Sequence, residues 1–197
     1  MFLLGFLLLL DKLDEFDSDG RTGASRVLER AGSSGMRTAV EFVSAQGKFK
    51  ETAMASLPYA DCFLLNEFEA GQVLGRNVDA NRNDLGTAAQ QILEMGARGD
   101  VVIHCPAGAV AATQSGEVFA QGSIELPDGY IAGATGAGDA FTAGYLMAWH
   151  DDQPPVERLK AGVCVAAASL SDPTPSGGVG SKDECFALAD RYGYRAY

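Results

Sequence analysis

Apolar runs alternate with amphipathic segments along the whole of this chain. The first ten positions, MFLLGFLLLL, are almost entirely apolar, and the acidic stretch DKLDEFDSD follows at once. In TGASRVLERAG (22–32), Ala24, Val27, Leu28 and Ala31 fall at i, i+3, i+4 and i+7, which predicts a helix. RTAVEFVSA (37–45) reads as a strand, KFKETAMASL (48–57) as a helix stopped by Pro58, and ADCFLLN (60–66) as a buried strand. A short helix, EFEAGQVLG (67–75), follows, then an amphipathic one, NDLGTAAQQILEMG (83–96), opened by a capping Asn or Asp and closed at Gly96. DVVIHC (100–105) is a second buried strand. Short strands are expected through 108–126, with Gly116 at a hairpin. The last third predicts helices at GDAFTAGYLMAWH (138–150), VERLKAGVCVAAASLS (156–171) and KDECFALADRYG (182–193), with the loop SDPTPSGGVGS between the last two. Strands alternating with helices predict an α/β fold: three layers, a mainly parallel sheet with helices on both faces.

Composition narrows the function classes. With 197 residues, 47% of them hydrophobic, the chain can bury the core of one domain or most of one. A formal net charge of -11 argues against a nucleic-acid partner, which needs clustered Lys and Arg. It leaves anionic small ligands open, because backbone amides can hold a phosphate within an acidic protein. The cysteines (Cys62, Cys105, Cys164 and Cys185) form no CxxC pair and read as buried free thiols of a reduced, cytoplasmic protein. The apolar opening lacks the positive start and small-residue cleavage site of an export signal. At ten residues it also falls short of the roughly 20 that span a membrane. No membrane partner is expected, and the opening reads as a buried strand or strand–helix junction.

The densest chemistry lies in YIAGATGAGDAFTAGYL (130–146). Gly133, Gly136 and Gly138 crowd the start of an apolar helix, where small residues let a ligand approach the backbone. Free N–H groups and the helix dipole make such a turn an anion site. Asp139 stands in the first turn. It reads either as a helix-capping carboxylate or as a base that takes a proton from a hydroxyl attacking a bound phosphate. A dinucleotide fingerprint is disfavoured, because Phe141 takes the third glycine position of GAGDAF, and no Walker A sequence occurs.

GATGAGDAF resembles the C-terminal signature of the ribokinase-like (PfkB) family of carbohydrate and nucleoside kinases. LLNEFEAGQVLG (64–75) resembles that family's N-x-x-E segment, and VAAASLSDPTPSGGV (165–179) its alanine-rich helix and Gly-containing loop. The resemblance implies an ATP-dependent kinase acting on a hydroxyl of a sugar or nucleoside. Asp139 would be the general base, and the amides of Gly136, Ala137 and Gly138 the anion hole. Asn66 and Glu69 would organise Mg²⁺ through water, with no direct protein ligand to the metal. Thr135, Gly108, Val163, Ala166 and Ala167 would contact the nucleotide. Read without the resemblance, Asn66 is a helix cap and Glu69 a solvated acid.

Three departures from the family pattern stand out. Gly133 replaces an Asp that in many members helps hold a monovalent cation, which puts that cation in doubt. IHCPAGA replaces a Thr-x-Gly start after DVVIHC, so that only Gly108 matches well and His104 reads as structural. The first match also falls in the middle of the family domain. The expectation is therefore a single partial ribokinase-like domain over 1–197, truncated at its N-terminus and lacking the β lid and most acceptor-binding residues. Such a chain would expose an apolar sheet edge and could form a homodimer through it. The alternative function is a non-catalytic nucleotide- or anion-binding remnant, or an interaction module.

Overall fold

The computed structural model describes residues 1–45 and 47–197. The order of elements is β1 (Phe2–Leu7), α1 (Gly23–Ser33), β2 (Thr38–Phe42), α2 (Phe49–Ser56), β3 (Cys62–Asn66), α3 (Glu67–Leu74), α4 (Arg82–Glu94), β4 (Asp100–Cys105), β5 (Gly108–Ala112), β6 (Val118–Gly122), α5 (Ala137–His150), α6 (Pro155–Ser169) and α7 (Lys182–Tyr192). The six strands form a mostly parallel sheet in the sequential order β1 to β6, with β1, β2 and β3 parallel to one another. Chain contacts divide the protein into two compact units. One comprises 1–103 with 111–118, the other 104–110 with 119–197.

In the first unit, a side-chain cap marks the start of α1, α3 and α4, whereas α2 starts at Lys48 without one. Thr22 caps α1 by accepting from the Ser25 amide at 3.1 Å, and Ala24, Leu28 and Ala31 of that helix are buried. Asn81 caps α4 in the same way. At the start of the strands, Asp61 accepts from the Thr38 amide at 2.8 Å and pairs with Arg98 at 2.7 Å. Gly99 is required there, since a Cβ would lie 1.9 Å from the Asp61 carbonyl oxygen. Strand β2 ends at Phe42, earlier than its sequence predicts, and Ser44 beyond it turns its hydroxyl to Glu69 instead.

The opening segment is a strand, but not a buried one. Leu4 and Leu7 are buried, whereas Met1, Leu3, Phe6 and Leu9 are 42–60% exposed. The cause is position: β1 is the last strand at one end of the sheet and pairs only with β2. Its register slips between Leu4 and Leu7, where Phe6 takes a left-handed φ of 60°.

In the second unit, α5 and α6 meet at glycines. A Cβ on Gly144 would lie 2.5 Å from the Ala161 carbonyl oxygen, and one on Gly162 would lie 2.6 Å from the Phe141 ring. Helix α7 covers the other side of α6, where Cys164, Ala167 and Ile124 pack with Phe186 and Leu188. All four cysteines are free thiols; Cys62, Cys164 and Cys185 are buried as expected, whereas Cys105, at the end of β4 beside the Tyr197 hydroxyl, is only partly so. Among the described residues, no helix is long and apolar enough to cross a membrane.

Candidate active site

The GATGAGD segment forms a tight turn that delivers the chain into α5. Gly136 is the N-cap, at φ 82°, a left-handed conformation that only glycine adopts cheaply. The Ala137 amide donates to Ala134 O at 3.2 Å, and the Gly136 carbonyl accepts from the Ala140 amide at 2.8 Å. Among the described residues, the amides of Gly138 and Asp139 have no protein acceptor. They are the open donors at the positive end of the helix dipole. Of the three amides expected to hold an anion, that of Ala137 is therefore already engaged within the turn.

Asp139 is exposed, and among the described residues its carboxylate has no hydrogen-bond or ion-pair partner. It does not cap the helix: no side chain makes the N-cap bond of α5. A free carboxylate beside free amides is an unusual pairing for a simple helix start, since a cap would fold back onto those donors. Thr135 is exposed next to the turn. On the other side, His104 at the end of β4 puts its Cε1 3.3 Å from where a Gly138 Cβ would stand, and its ring lies 4.8 Å from that of Phe141. Burial pushes the imidazole down to about 4, so His104 is neutral at pH 7.

A family model for "pfkB family carbohydrate kinase" matches residues 21–179. The chain belongs to the pfkB family of carbohydrate kinases. No curated protein matches the sequence. Solved structures share the fold at low identity. Phosphofructokinase-2 from Escherichia coli, in complex with potassium, is 19% identical with a TM-score of 0.68, over 85% of this chain and 51% of that one. Ribokinase from Arabidopsis thaliana, in complex with ribose and ATP, is 17% identical with a TM-score of 0.70, over 83% and 51%. A candidate ribokinase II from E. coli, in complex with ATP and Mg²⁺, is 15% identical with a TM-score of 0.69, over 87% and 54%. The chain thus spans about half the length of these structures.

The pfkB-type N-x-x-E segment lies in the first unit. Asn66 caps α3, accepting from the Glu69 amide at 2.8 Å, while Glu69 Oε2 accepts from the Asn66 amide at 2.9 Å. The two form a reciprocal capping box. Ser44 closes the ring: it accepts from Asn66 Nδ2 and donates to Glu69 Oε1, both at 2.8 Å. Glu69 is therefore not the solvated acid that a reading of the bare sequence favours; it is 4% exposed. Burial raises its pKa above the usual carboxylate range, against the lowering effect of the Asn66 amide and the Ser44 hydroxyl. The donors of this cluster are hard oxygens, which suit Mg²⁺, and the carboxylate keeps lone pairs for metal-bound water. Among the described residues, no cluster of His, Cys, Asp and Glu could hold a metal directly. Ser44 left no signal in the sequence, because its partners lie more than twenty positions away and only the fold joins them.

Gly108 is buried against β6, where a Cβ would lie 2.4 Å from the Gln121 carbonyl oxygen. On α6, Val163 and Ala167 are buried in the core, and Ala166 is partly exposed. At Gly133 a Cβ would lie 2.9 Å from Pro173 Cα and 3.2 Å from its carbonyl oxygen. Pro173 occupies the space that a carboxylate side chain would need, so the residues present do not fit a monovalent cation held by an acid at this position.

Proposed function

We propose that residues 1–197 are part of one ribokinase-like domain, the nucleotide-binding and catalytic part of an ATP-dependent kinase for a hydroxyl of a sugar or related small molecule. The single observation that carries this reading is the Asp139 carboxylate, without a partner among the described residues, beside the equally open Gly138 and Asp139 amides at the start of α5. The acceptor hydroxyl oxygen forms a bond to the γ-phosphorus of ATP, the bond to the bridging oxygen breaks, and ADP leaves. Asp139 takes the hydroxyl proton as that bond forms. The open amides hold the charge on the transferring phosphoryl oxygens. Asn66 and Glu69 are assigned the water-mediated placement of Mg²⁺, which neutralises phosphate charge when bound. Ribose with ATP in one neighbour, and ATP with Mg²⁺ in another, support the substrate class. The exposed apolar edge of β1 is assigned to pairing with a second copy of the chain.

The test has two stages. Calorimetry with ATP and Mg²⁺ should show binding, and a panel of sugars and nucleosides should then show transfer by the chain. Asp139→Asn should lower turnover by about 10²- to 10⁴-fold while ATP still binds. Binding without transfer on any acceptor would favour a non-catalytic nucleotide-binding module, and no binding would overturn both.

A further inference from the structure

The turn that carries the open amides does not stand alone. Two prolines of the loop between α6 and α7 lie close against two of its glycines. Pro173 backs Gly133, as described above. Pro175 backs Gly136 more closely: a Cβ there would fall 2.7 Å from Pro175 Cβ and 2.8 Å from its carbonyl oxygen. The same turn meets the His104 ring edge at Gly138, 3.3 Å from the position of a Cβ.

The loop bearing the prolines is itself pinned. Asp172 Oδ1 accepts from the Thr174 amide at 2.8 Å and from its hydroxyl at 2.5 Å, and Thr174 Oγ1 accepts from the Gly177 amide at 3.2 Å. The Ala132 amide donates to Leu170 O at 2.8 Å, which joins the two segments just ahead of the contact. Proline adds rigidity, because its ring holds φ at roughly −65° and it has no N–H to exchange with water.

We propose that Pro175 and His104 are positioning residues that clamp the Gly136–Gly138 turn from two sides and so fix the aim of its open amides. The inference rests on the phosphate-binding role proposed for that turn. Glycine-rich turns are mobile by nature, and an amide that must first be ordered loses part of its advantage at the moment of charge transfer. A rigid back on Gly136 and the His104 ring edge at Gly138 remove that cost. At Gly136 the contact requires the absence of a side chain, whereas at Gly138 an added Cβ would crowd the His104 ring without excluding it. The clamp thus explains Gly136 from this chain's own packing.

A clamp that serves the transferring phosphoryl should matter more for the transition state than for ATP itself. The test compares the affinity for ATP·Mg²⁺ with that for ADP·Mg²⁺·aluminium fluoride, a mimic of the phosphoryl in flight, both by calorimetry. Pro175→Ala should weaken the aluminium fluoride complex by about tenfold and ATP by less than about threefold. His104→Leu, which keeps bulk and loses the flat ring, should show the same split. Ser176→Ala, in the same loop but away from the turn, should change neither, and melting temperatures identify any variant that has lost its fold. Pro175→Val, which restores a stiff apolar face, should recover part of the loss. If the folded Pro175→Ala variant binds the aluminium fluoride complex within about twofold of the unaltered chain, or loses both ligands equally, the clamp is wrong. If the unaltered chain binds neither ligand, the phosphate-binding reading fails, and the clamp with it.

Discussion

Asp139 and His104 show how much a single side chain's surroundings decide. Asp139 is a first-turn acid by sequence, yet it bonds to nothing in its own helix. An Asp139→Asn substitution should therefore leave thermal stability almost unchanged in a melting experiment, an outcome that a capping residue would not give. His104 titrates in the opposite sense to a surface imidazole. The folded protein keeps it neutral down to about 4, whereas in the unfolded chain it takes up a proton near 6.5. Between those values the unfolded chain binds more protons, so stability should fall as pH drops through that window. Urea titrations at pH 7 and pH 5 should show the drop for the unaltered chain and a smaller one for His104→Leu. At Gly136, a change to Ala combines a left-handed φ with a clash on Pro175. A loss of at least about 1–2 kcal/mol is expected from the backbone alone, measurable by chemical unfolding.

At the scale of elements, the capping box on α3 serves two ends. It satisfies the Asn66 and Glu69 amides, and it holds a buried carboxylate within a ring of three side chains. Asn66→Ala should cost about 1 kcal/mol of stability from the lost cap alone. Glu69 has a raised pKa in the folded state, so the stability it contributes is complete below its unfolded value of 4.5 and declines as pH rises through its higher folded value. Glu69→Gln, which retains an acceptor for the Asn66 amide, should remove that decline; unfolding midpoints from pH 4 to 7 would reveal it. The helix after β3 was legible because Asn, Glu and the apolar face lie within one turn of each other in sequence. Ser44 was not, because strand and loop geometry alone bring it to that cap.

For the whole molecule, the pattern of apolar runs was enough to set the described helices, and the strands at 38–42, 62–66 and 100–105, in order, since each run's period reports which face must be buried. It did not reveal how the opening segment is used. Leu3, Phe6 and Leu9 read as interior and stand exposed, because burial depends on whether a second neighbour pairs with the strand. If that edge pairs with a second copy, sedimentation should show association that rises with concentration, and Leu3→Lys with Phe6→Lys should suppress it. The sequence by itself determined the family, the GATGAGD turn, its acid and the cap at Asn66, because each is a local pattern of residue types a few positions apart. Tertiary structure alone decided that the Asp139 carboxylate has no partner among the described residues, that Glu69 is buried and bonded to Ser44, and that Pro175 and His104 meet Gly136 and Gly138. These depend on which distant segments come to lie within a few ångströms, and no local spacing encodes that distance.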